Sequence, residues 1–294
     1  MEKVNRSREI REFLVSRRAR ITPDQAGLPV YGRNRRVKGL RREEVAMLAG
    51  VSVDYYTRLE RGNLAGASES VLVALARALQ LDEAEQAHLF DLARAANAHP
   101  ATRRRTPSNR VRPSVQRVLD ALATPAWIRN GRADVVATNT LGRALYAPVY
   151  DDPARPANTA RFTFLSPQAK DFYRAWDQTA HDTVAVLRAA AGHDPYDKGL
   201  SDLVGELSTR SAEFRTMWAV HDVLLHRTGT KNLHHPVAGD LDLTYEAFEL
   251  PSDPGLRLLV YTAEPDTPTA QALGFLASWA TTRHTAERDD ATRP

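Results

Sequence analysis

A short run of polar and aromatic side chains, residues 52–58, has the residue types and spacing needed to bind DNA bases. Arg58 can donate two parallel hydrogen bonds to a guanine edge, and Asp54 can accept one from the amino group of cytosine. Tyr55 can contact a base or a phosphate. If these residues share one helix, that helix can enter the major groove. The candidates on this run are Ser52, Val53, Asp54, Tyr55, Thr57 and Arg58.

Basic side chains precede this run and suit the phosphate backbone. Arg41 and Arg42 begin the preceding predicted helix, where they would bind phosphates and fix the register without reading sequence. A second basic group ends the irregular segment 21–39, whose glycines and prolines break any long helix. That group either follows phosphates, reaches a minor groove or is a solvated loop. Its candidate members are Arg35, Arg36 and Lys38.

Residues 40–62 are predicted to form two short helices joined by a tight turn. Gly50 can adopt positive φ without a Cβ penalty, and Ser52 can cap the second helix. Tyr56 and Leu59, three residues apart, then face inward, while the candidate side chains point outward. This pattern favours a helix-turn-helix over an ordinary helical hairpin. A first amphipathic helix and two later capped helices complete an all-α unit of five helices.

The second half of the chain has a different pattern from residue 114 onward. Two short β-branched runs flank Asn130-Gly131, a strong hairpin pattern, and three further strands are predicted at 224–233, 241–250 and 256–263. Helices are predicted between these groups, including a long one at 167–191, and a last helix covers 268–280. The order indicates an α+β domain with helices on one side of an antiparallel five-stranded sheet.

An aromatic and histidine-rich stretch near residue 218 is the candidate site of the second half. Phe214 and Trp218 lie four residues apart on one predicted helix, with His221 a turn further on. They are either core residues or the lining of a ligand pocket, to which Tyr173 and Trp176 of the long predicted helix would also belong. His221 could alternatively serve an enzyme, but no nucleophile motif accompanies it. Neither helical spacing nor cysteine pairs favour a metal site.

Both halves resemble a known family. The run EEVAMLAGVSVDYYTRLERG resembles the Xre, or lambda-repressor-like, helix-turn-helix, and RRVKGLRREEVAMLAGVSVDYYTRLERG resembles its MmyB-like branch. The resemblance covers about residues 7–280 and includes VGELSTRSAEFRTMWAVHDV, GTKNLHHPVAGDLDLTYE and LLVYTAEPDTPTAQAL. It departs from the family at segment 21–39, which is an insertion, and at loop 63–67, which lacks the family's basic residues.

The resemblance implies a PAS-like second domain that binds a small apolar ligand of fatty-acid type. A carboxylate would need a buried cation or donor, for which Arg210, His221 and Arg227 are candidates. The predicted organisation is a helix-turn-helix domain at 1–97, a linker at 98–112, the PAS-like domain at 113–280 and a disordered tail at 281–294. No cofactor is expected beyond that ligand.

Composition agrees with this organisation. The first 62 residues carry 15 Lys and Arg against 8 Asp and Glu, whereas residues 113–294 carry 18 against 23, as expected of a polyanion-binding end on an acidic partner domain. Without cysteines or an apolar run of about 20 residues, a cytoplasmic protein with no membrane insertion is predicted. The leading hypothesis is a transcription regulator, not an enzyme, that binds a pseudo-palindromic operator as a homodimer. The second hypothesis is a small-molecule enzyme that uses His221 in the second half of the chain, with an accessory helix-turn-helix. The third is a protein-binding antitoxin or scaffold.

Overall fold

The computed structural model describes residues 2–29, 37–97, 110–194, 196–220 and 228–291. Within these ranges, side chains are described from residue 7 to residue 282. The chain divides into two compact units. The first contains residues 1–104, 188–197 and 216–225, and the second contains residues 105–187, 198–215 and 226–294. No helix among the described residues has the length and apolar character that crossing a membrane would require.

Within the first unit, the described part of residues 2–97 forms five helices, which confirms the predicted all-α domain. Its core contains the fully buried side chains of Phe13, Leu14, Tyr56, Leu59 and Leu75. Buried pairs three or four positions apart, such as Ile10 and Leu14, Tyr56 and Leu59, and Leu72 and Leu75, show that these helices turn an apolar stripe inward. The helices are α1 (Glu2–Arg20), α2 (Arg42–Leu48), α3 (Val53–Glu60), α4 (Glu69–Ala78) and α5 (Glu83–Asn97).

The turn between α2 and α3 has the geometry predicted from the sequence. Gly50 has φ +65°, and the N–H of Val51 donates to the carbonyl of Ala46 at 2.9 Å. The Ser52 hydroxyl accepts from the N–H of Tyr55 at 3.1 Å and so caps α3. The turn and the cap together fix the direction in which α3 leaves α2.

The chain from residue 113 onward contains the sheet and the remaining helices. All five strands are antiparallel in the order β2-β1-β5-β4-β3, which confirms the predicted sheet. The strands are β1 (Ala126–Arg129), β2 (Val135–Thr138), β3 (Thr228–His235), β4 (Gly239–Glu249) and β5 (Arg257–Thr262). The helices are α6 (Pro113–Ala121), α7 (Thr140–Leu145), a 3₁₀ turn (Ala147–Tyr150), α8 (Thr159–Leu165), α9 (Ala169–Phe172), α10 (Trp176–His193), α11 (Lys198–Arg210), α12 (Ala212–Trp218) and α13 (Pro268–Ala291).

Asn139 joins the first strands to the helix that follows them. Its side-chain oxygen accepts from the N–H of Ala126 at 3.1 Å and of Gly142 at 2.7 Å. Its amide group donates to the carbonyls of Leu122 and Thr124. One buried side chain therefore satisfies backbone groups of three successive segments, which holds β1 against the start of α7.

Two helix predictions need correction. The long helix predicted at 167–191 is interrupted between α9 and α10, because Tyr173 pairs with Leu233 in an isolated β-bridge and the N–H of Arg174 donates to the carbonyl of Asn232 at 3.0 Å. Pairing with β3 has replaced helical hydrogen bonds there. The last helix, predicted to end at residue 280, continues to Ala291, since neither glycine nor proline interrupts that stretch.

Candidate functional site

The outer face of α3 carries the side chains predicted to meet DNA. Asp54 and Arg58 are exposed, and Val53 has 46% of its surface accessible. Tyr55 and Thr57 are half-buried, and the Arg58 guanidinium lies 4.7 Å from the centre of the Tyr55 ring. A cation over an aromatic face restricts the Arg58 side chain. The face is therefore polar, accessible and partly ordered before any partner arrives.

The inner face of α3 is fixed by an ion cluster that the sequence did not reveal. Glu60 is buried with 1% of its surface accessible, next to the predicted inward residues Tyr56 and Leu59. Its carboxylate accepts from Arg18 of α1 at 2.8 and 3.0 Å and from Arg42 of α2 at 3.0 Å. Burial opposes ionisation of Glu60, but the two guanidinium groups outweigh it and leave its pKa below the ordinary value.

The predicted phosphate-binding residues differ in their exposure and in their ion pairs within the protein. Arg41 precedes α2, is exposed, and lies 3.3 Å from Glu43. Arg42 is half exposed but already paired with Glu60, so part of its role is structural. Lys38 is exposed. Arg35 and Arg36 lie outside the described residues.

Of the residues predicted to bind a ligand, those that the structure describes do not all line one cavity. Phe214 and Trp176 both pack on the ring of Phe164, at 5.0 and 6.1 Å between ring centres. Such mutual packing is typical of core residues. Arg210 is exposed and paired with Glu206 at 2.8 Å. Trp218 is half-buried, with the Arg188 guanidinium 4.2 Å from its ring centre, while His221 and Arg227 lie outside the described residues.

Among the candidates that the structure describes, Arg210 lines one pocket of the second unit, and Tyr173 lines another, which we call the polar cavity. Its volume is about 30 Å³, which is space for only a few water molecules. Strands of the sheet, helix α8 and helix α10 all contribute to it. Its lining residues are Trp127, Arg129, Tyr146, Thr159, Thr163, Tyr173, Thr179, Asp182, Thr183, Val186, Lys231, Leu259 and Tyr261.

Two buried cations are the chemically distinctive groups of the polar cavity. Arg129 is 8% exposed, its Nη2 atom has no hydrogen-bond partner, and no salt bridge to it occurs among the described residues. Lys231, also 8% exposed, donates to the Thr179 hydroxyl at 3.2 Å and lies 3.8 Å from the Asp182 carboxylate. Burial lowers the pKa of Lys231 to about 8, against the opposing effect of Asp182, and Arg129 lowers it further. Burial also lowers the pKa of Arg129.

Aromatic rings form much of the rest of the wall. The Trp127 and Tyr146 ring centres are 3.8 Å apart, and the Tyr146 hydroxyl donates to that of Tyr261 at 3.0 Å. Burial raises the pKa of Tyr261 to about 12 and holds the pKa of Tyr146 well above its ordinary value. Both phenols therefore stay neutral at physiological pH, so the positive charges of the polar cavity are not offset by phenolates.

The sequence contained one usable indication of this cavity. Lys231 alternates with Leu233 and His235 on β3, and all three side chains are buried on one face. Strand periodicity therefore placed a lysine among core residues. Arg129 carries no such indication, because all four residues of β1 are buried and the strand does not alternate.

His235 belongs to the structural framework of the second unit. Its Nδ1 accepts from the N–H groups of Val237 and Ala238, so Nε2 carries the proton and donates to the Ala144 carbonyl at 3.0 Å. Burial lowers the pKa of His235, which favours this neutral form. Both ring nitrogens are thus occupied, and none is available for catalysis or metal binding.

A helix-turn-helix with an accessible polar face, followed by an α+β unit with an internal cavity, defines a DNA-binding regulator with a sensor domain. Residues 111–276 match the family model described as MmyB-like transcription regulator ligand binding domain, and residues 15–89 match a helix-turn-helix domain. The chain belongs to the MmyB-like transcription regulators. No curated protein shows significant similarity to it. The two matches make it a ligand-responsive transcription regulator and indicate a regulatory rather than an enzymatic role.

Proposed function

We propose that the protein reads a specific operator sequence through the outer face of α3. The observation that carries this proposal is the contrast between the two faces of one helix. Glu60 fixes the inner face through Arg18 and Arg42, while Asp54 and Arg58 remain exposed. A helix held rigidly on one side can present its other side to base edges at low entropic cost.

We further propose that the protein binds a pseudo-palindromic operator as a homodimer. One recognition helix reads only a few base pairs, and two-fold pairing doubles the sequence that is read. Arg41 and Lys38 would bind phosphates beside each half-site, because both are exposed cations near α3 in the chain. Since such a regulator acts on the chromosome, we propose a cytoplasmic location.

The ligand of the second unit is proposed to carry a negative charge. Two buried cations in the polar cavity support a carboxylate, which the fatty-acid-like ligand implied by the family resemblance also has. The small volume and hydroxyl-rich wall of the cavity give less support to a long apolar chain. A fatty acid and a compact acid therefore remain two alternatives with one shared functional group.

The operator proposal can be tested by selecting duplexes from a random DNA pool with the purified full chain. We expect enrichment of inverted repeats whose half-site centres lie about 10 base pairs, or a multiple, apart. The mass of the complex, measured by light scattering, should correspond to two chains per selected duplex. A pool without enriched sequence would contradict sequence-specific binding, and a single half-site bound by one chain would contradict the homodimer.

A further inference from the structure

We infer that the polar cavity binds a compact aromatic carboxylate of the hydroxybenzoate type, with its carboxylate between Arg129 and Lys231. This inference rests on the proposed function, because it names the class of ligand to which the regulator responds. It concerns residues outside the aromatic and histidine-rich stretch that the sequence singled out.

The charges of the cavity favour an anion. Arg129 lines the cavity and is more than nine-tenths buried, and its Nη2 atom has no acceptor among the described residues. Asp182 lies 3.8 Å from Lys231 and is the one carboxylate that lines the described cavity. A buried guanidinium without a partner is costly, and a carboxylate that accepts two charge-assisted hydrogen bonds removes that cost.

The walls of the cavity favour a flat molecule. Trp127, Tyr146, Tyr173 and Tyr261 line the same cavity as the two cations. An aromatic ring packs against such side chains by stacked or edge-to-face contacts. A volume of about 30 Å³ means that any ligand displaces side chains, and a short rigid acid displaces fewer of them than a long acyl chain does.

Threonine hydroxyls favour a hydroxyl group on the ring. Thr163 donates its proton to the Thr159 carbonyl, and Thr183 donates to the Thr179 carbonyl. Their oxygens can still accept, and the Asp182 carboxylate is a further acceptor. A ligand hydroxyl can therefore donate at the wall while the ligand carboxylate accepts from Arg129 and Lys231.

The test is calorimetric titration of the full chain, without DNA, using 4-hydroxybenzoate, its neutral analogue 4-hydroxybenzamide, and myristate. We expect 4-hydroxybenzoate to bind at least about tenfold more tightly than the amide, because the amide has no negative charge to pair with the two cations. Arg129→Gln and Lys231→Met should each weaken binding at least about tenfold.

Matched control variants separate the cavity from surface charge. Arg174→Gln and Lys198→Met remove exposed cations that pair with Asp242 and Asp202, and both should bind 4-hydroxybenzoate like the original chain. Thermal unfolding identifies any variant that fails to fold. If Arg129→Gln does not fold, Arg129→Lys is used in its place. This variant keeps a cation at the position and should bind 4-hydroxybenzoate more weakly than the original chain does.

Three outcomes would overturn the inference. These are equal binding of the amide and the acid, unchanged binding in folded Arg129 and Lys231 variants, and binding of myristate without any binding of 4-hydroxybenzoate. Operator affinity is measured separately, by fluorescence anisotropy with and without the acid. If the acid binds in the predicted charge-dependent way but leaves operator affinity unchanged, the cavity assignment stands and the ligand response fails.

Discussion

Arg18 and Glu60 form a two-point ion pair in which Nε lies 2.8 Å from Oε2 and Nη2 lies 3.0 Å from Oε1. The pair joins α1 to the end of α3 across 42 residues of sequence. Because the Glu60 carboxylate is 1% exposed, water cannot replace a lost partner. The orientation of α3 therefore depends on a buried charge as well as on apolar packing.

Glu60→Gln should lower the free energy of unfolding of the first unit by about 3 kcal/mol, since it leaves the guanidinium of Arg18 without its counter-ion. Chemical denaturation monitored by circular dichroism measures this change. Glu43→Gln, on an exposed carboxylate paired with Arg41, is the control and should change stability by less than about 0.5 kcal/mol. Equal effects of the two variants would contradict the structural role of Glu60.

Because of the Glu60 carboxylate, the stability of the first unit should depend on pH. The pKa of Glu60 is lower in the folded chain than in the unfolded one, so its stabilisation is present above roughly pH 4.3 and is lost as the pH falls through the folded value. Unfolding midpoints of the original chain should therefore fall more steeply with acid than those of Glu60→Gln. Parallel pH profiles would show that Glu60 is not the coupled group.

Arg58→Ala should cost roughly 1–3 kcal/mol of operator binding and relax specificity at one base position. Arg41→Ala should weaken operator and random duplexes alike and reduce the salt slope by about one unit. Arg42→Ala should show the same uniform loss together with lower stability, because Arg42 also pairs with Glu60. Fluorescence anisotropy on both duplexes at several salt concentrations distinguishes these roles. Equal losses on both duplexes for Arg58→Ala would exclude base recognition by that side chain.

Two glycines of the helix-turn-helix should respond differently to alanine. Gly62 has φ +95°, and a Cβ there would collide with the backbone of Ser7, whereas Gly50 has φ +65° and open space around it. Gly50→Ala should cost about 1 kcal/mol from backbone conformation alone. Gly62→Ala adds a collision that only movement of α1 can relieve, and should cost more than about 2 kcal/mol. Urea denaturation of both variants makes the comparison, and equal costs would mean that α1 adapts freely.

Binding of the proposed acid should weaken as the pH rises through about 8. Lys231 has a pKa of about 8 in the folded chain, where Asp182, Arg129 and the Tyr173 ring face it. A bound carboxylate raises that pKa, so binding takes up protons and weakens as Lys231 becomes neutral. Calorimetry in buffers of different ionisation enthalpy measures the uptake. Lys231→Met should abolish it, and an unchanged uptake in that variant would assign the proton to another group.

Much of the fold followed from local patterns. The glycine and serine at the α2–α3 turn, the inward Tyr56 and Leu59, and the alternation of β4 all act within a few residues, so they can be read without knowing the tertiary structure. The break after α9 could not be read in this way. Its cause is the pairing of Tyr173 with Leu233, a residue 60 positions away in the chain.

One of the two candidate sites could be recognised from the sequence and the other could not. The outer residues of α3 were recognisable because helical periodicity separates two faces of one element. The polar cavity was not, because its charged members Arg129, Asp182 and Lys231 come from three elements and meet only in the folded unit. Aromatic richness pointed instead to Phe214, which packs in the core.

The strand order has a consequence for synthesis of the chain. Because β1 pairs with β5, the sheet cannot close until the ribosome has released residues beyond Thr262. Helices α1 to α5 lie within the first 97 residues and leave the ribosome much earlier. A nascent chain can therefore contain a folded helix-turn-helix while the sheet of the second unit is still incomplete. Premature termination before β5 would leave a chain with helices α1 to α5 but without the complete sheet.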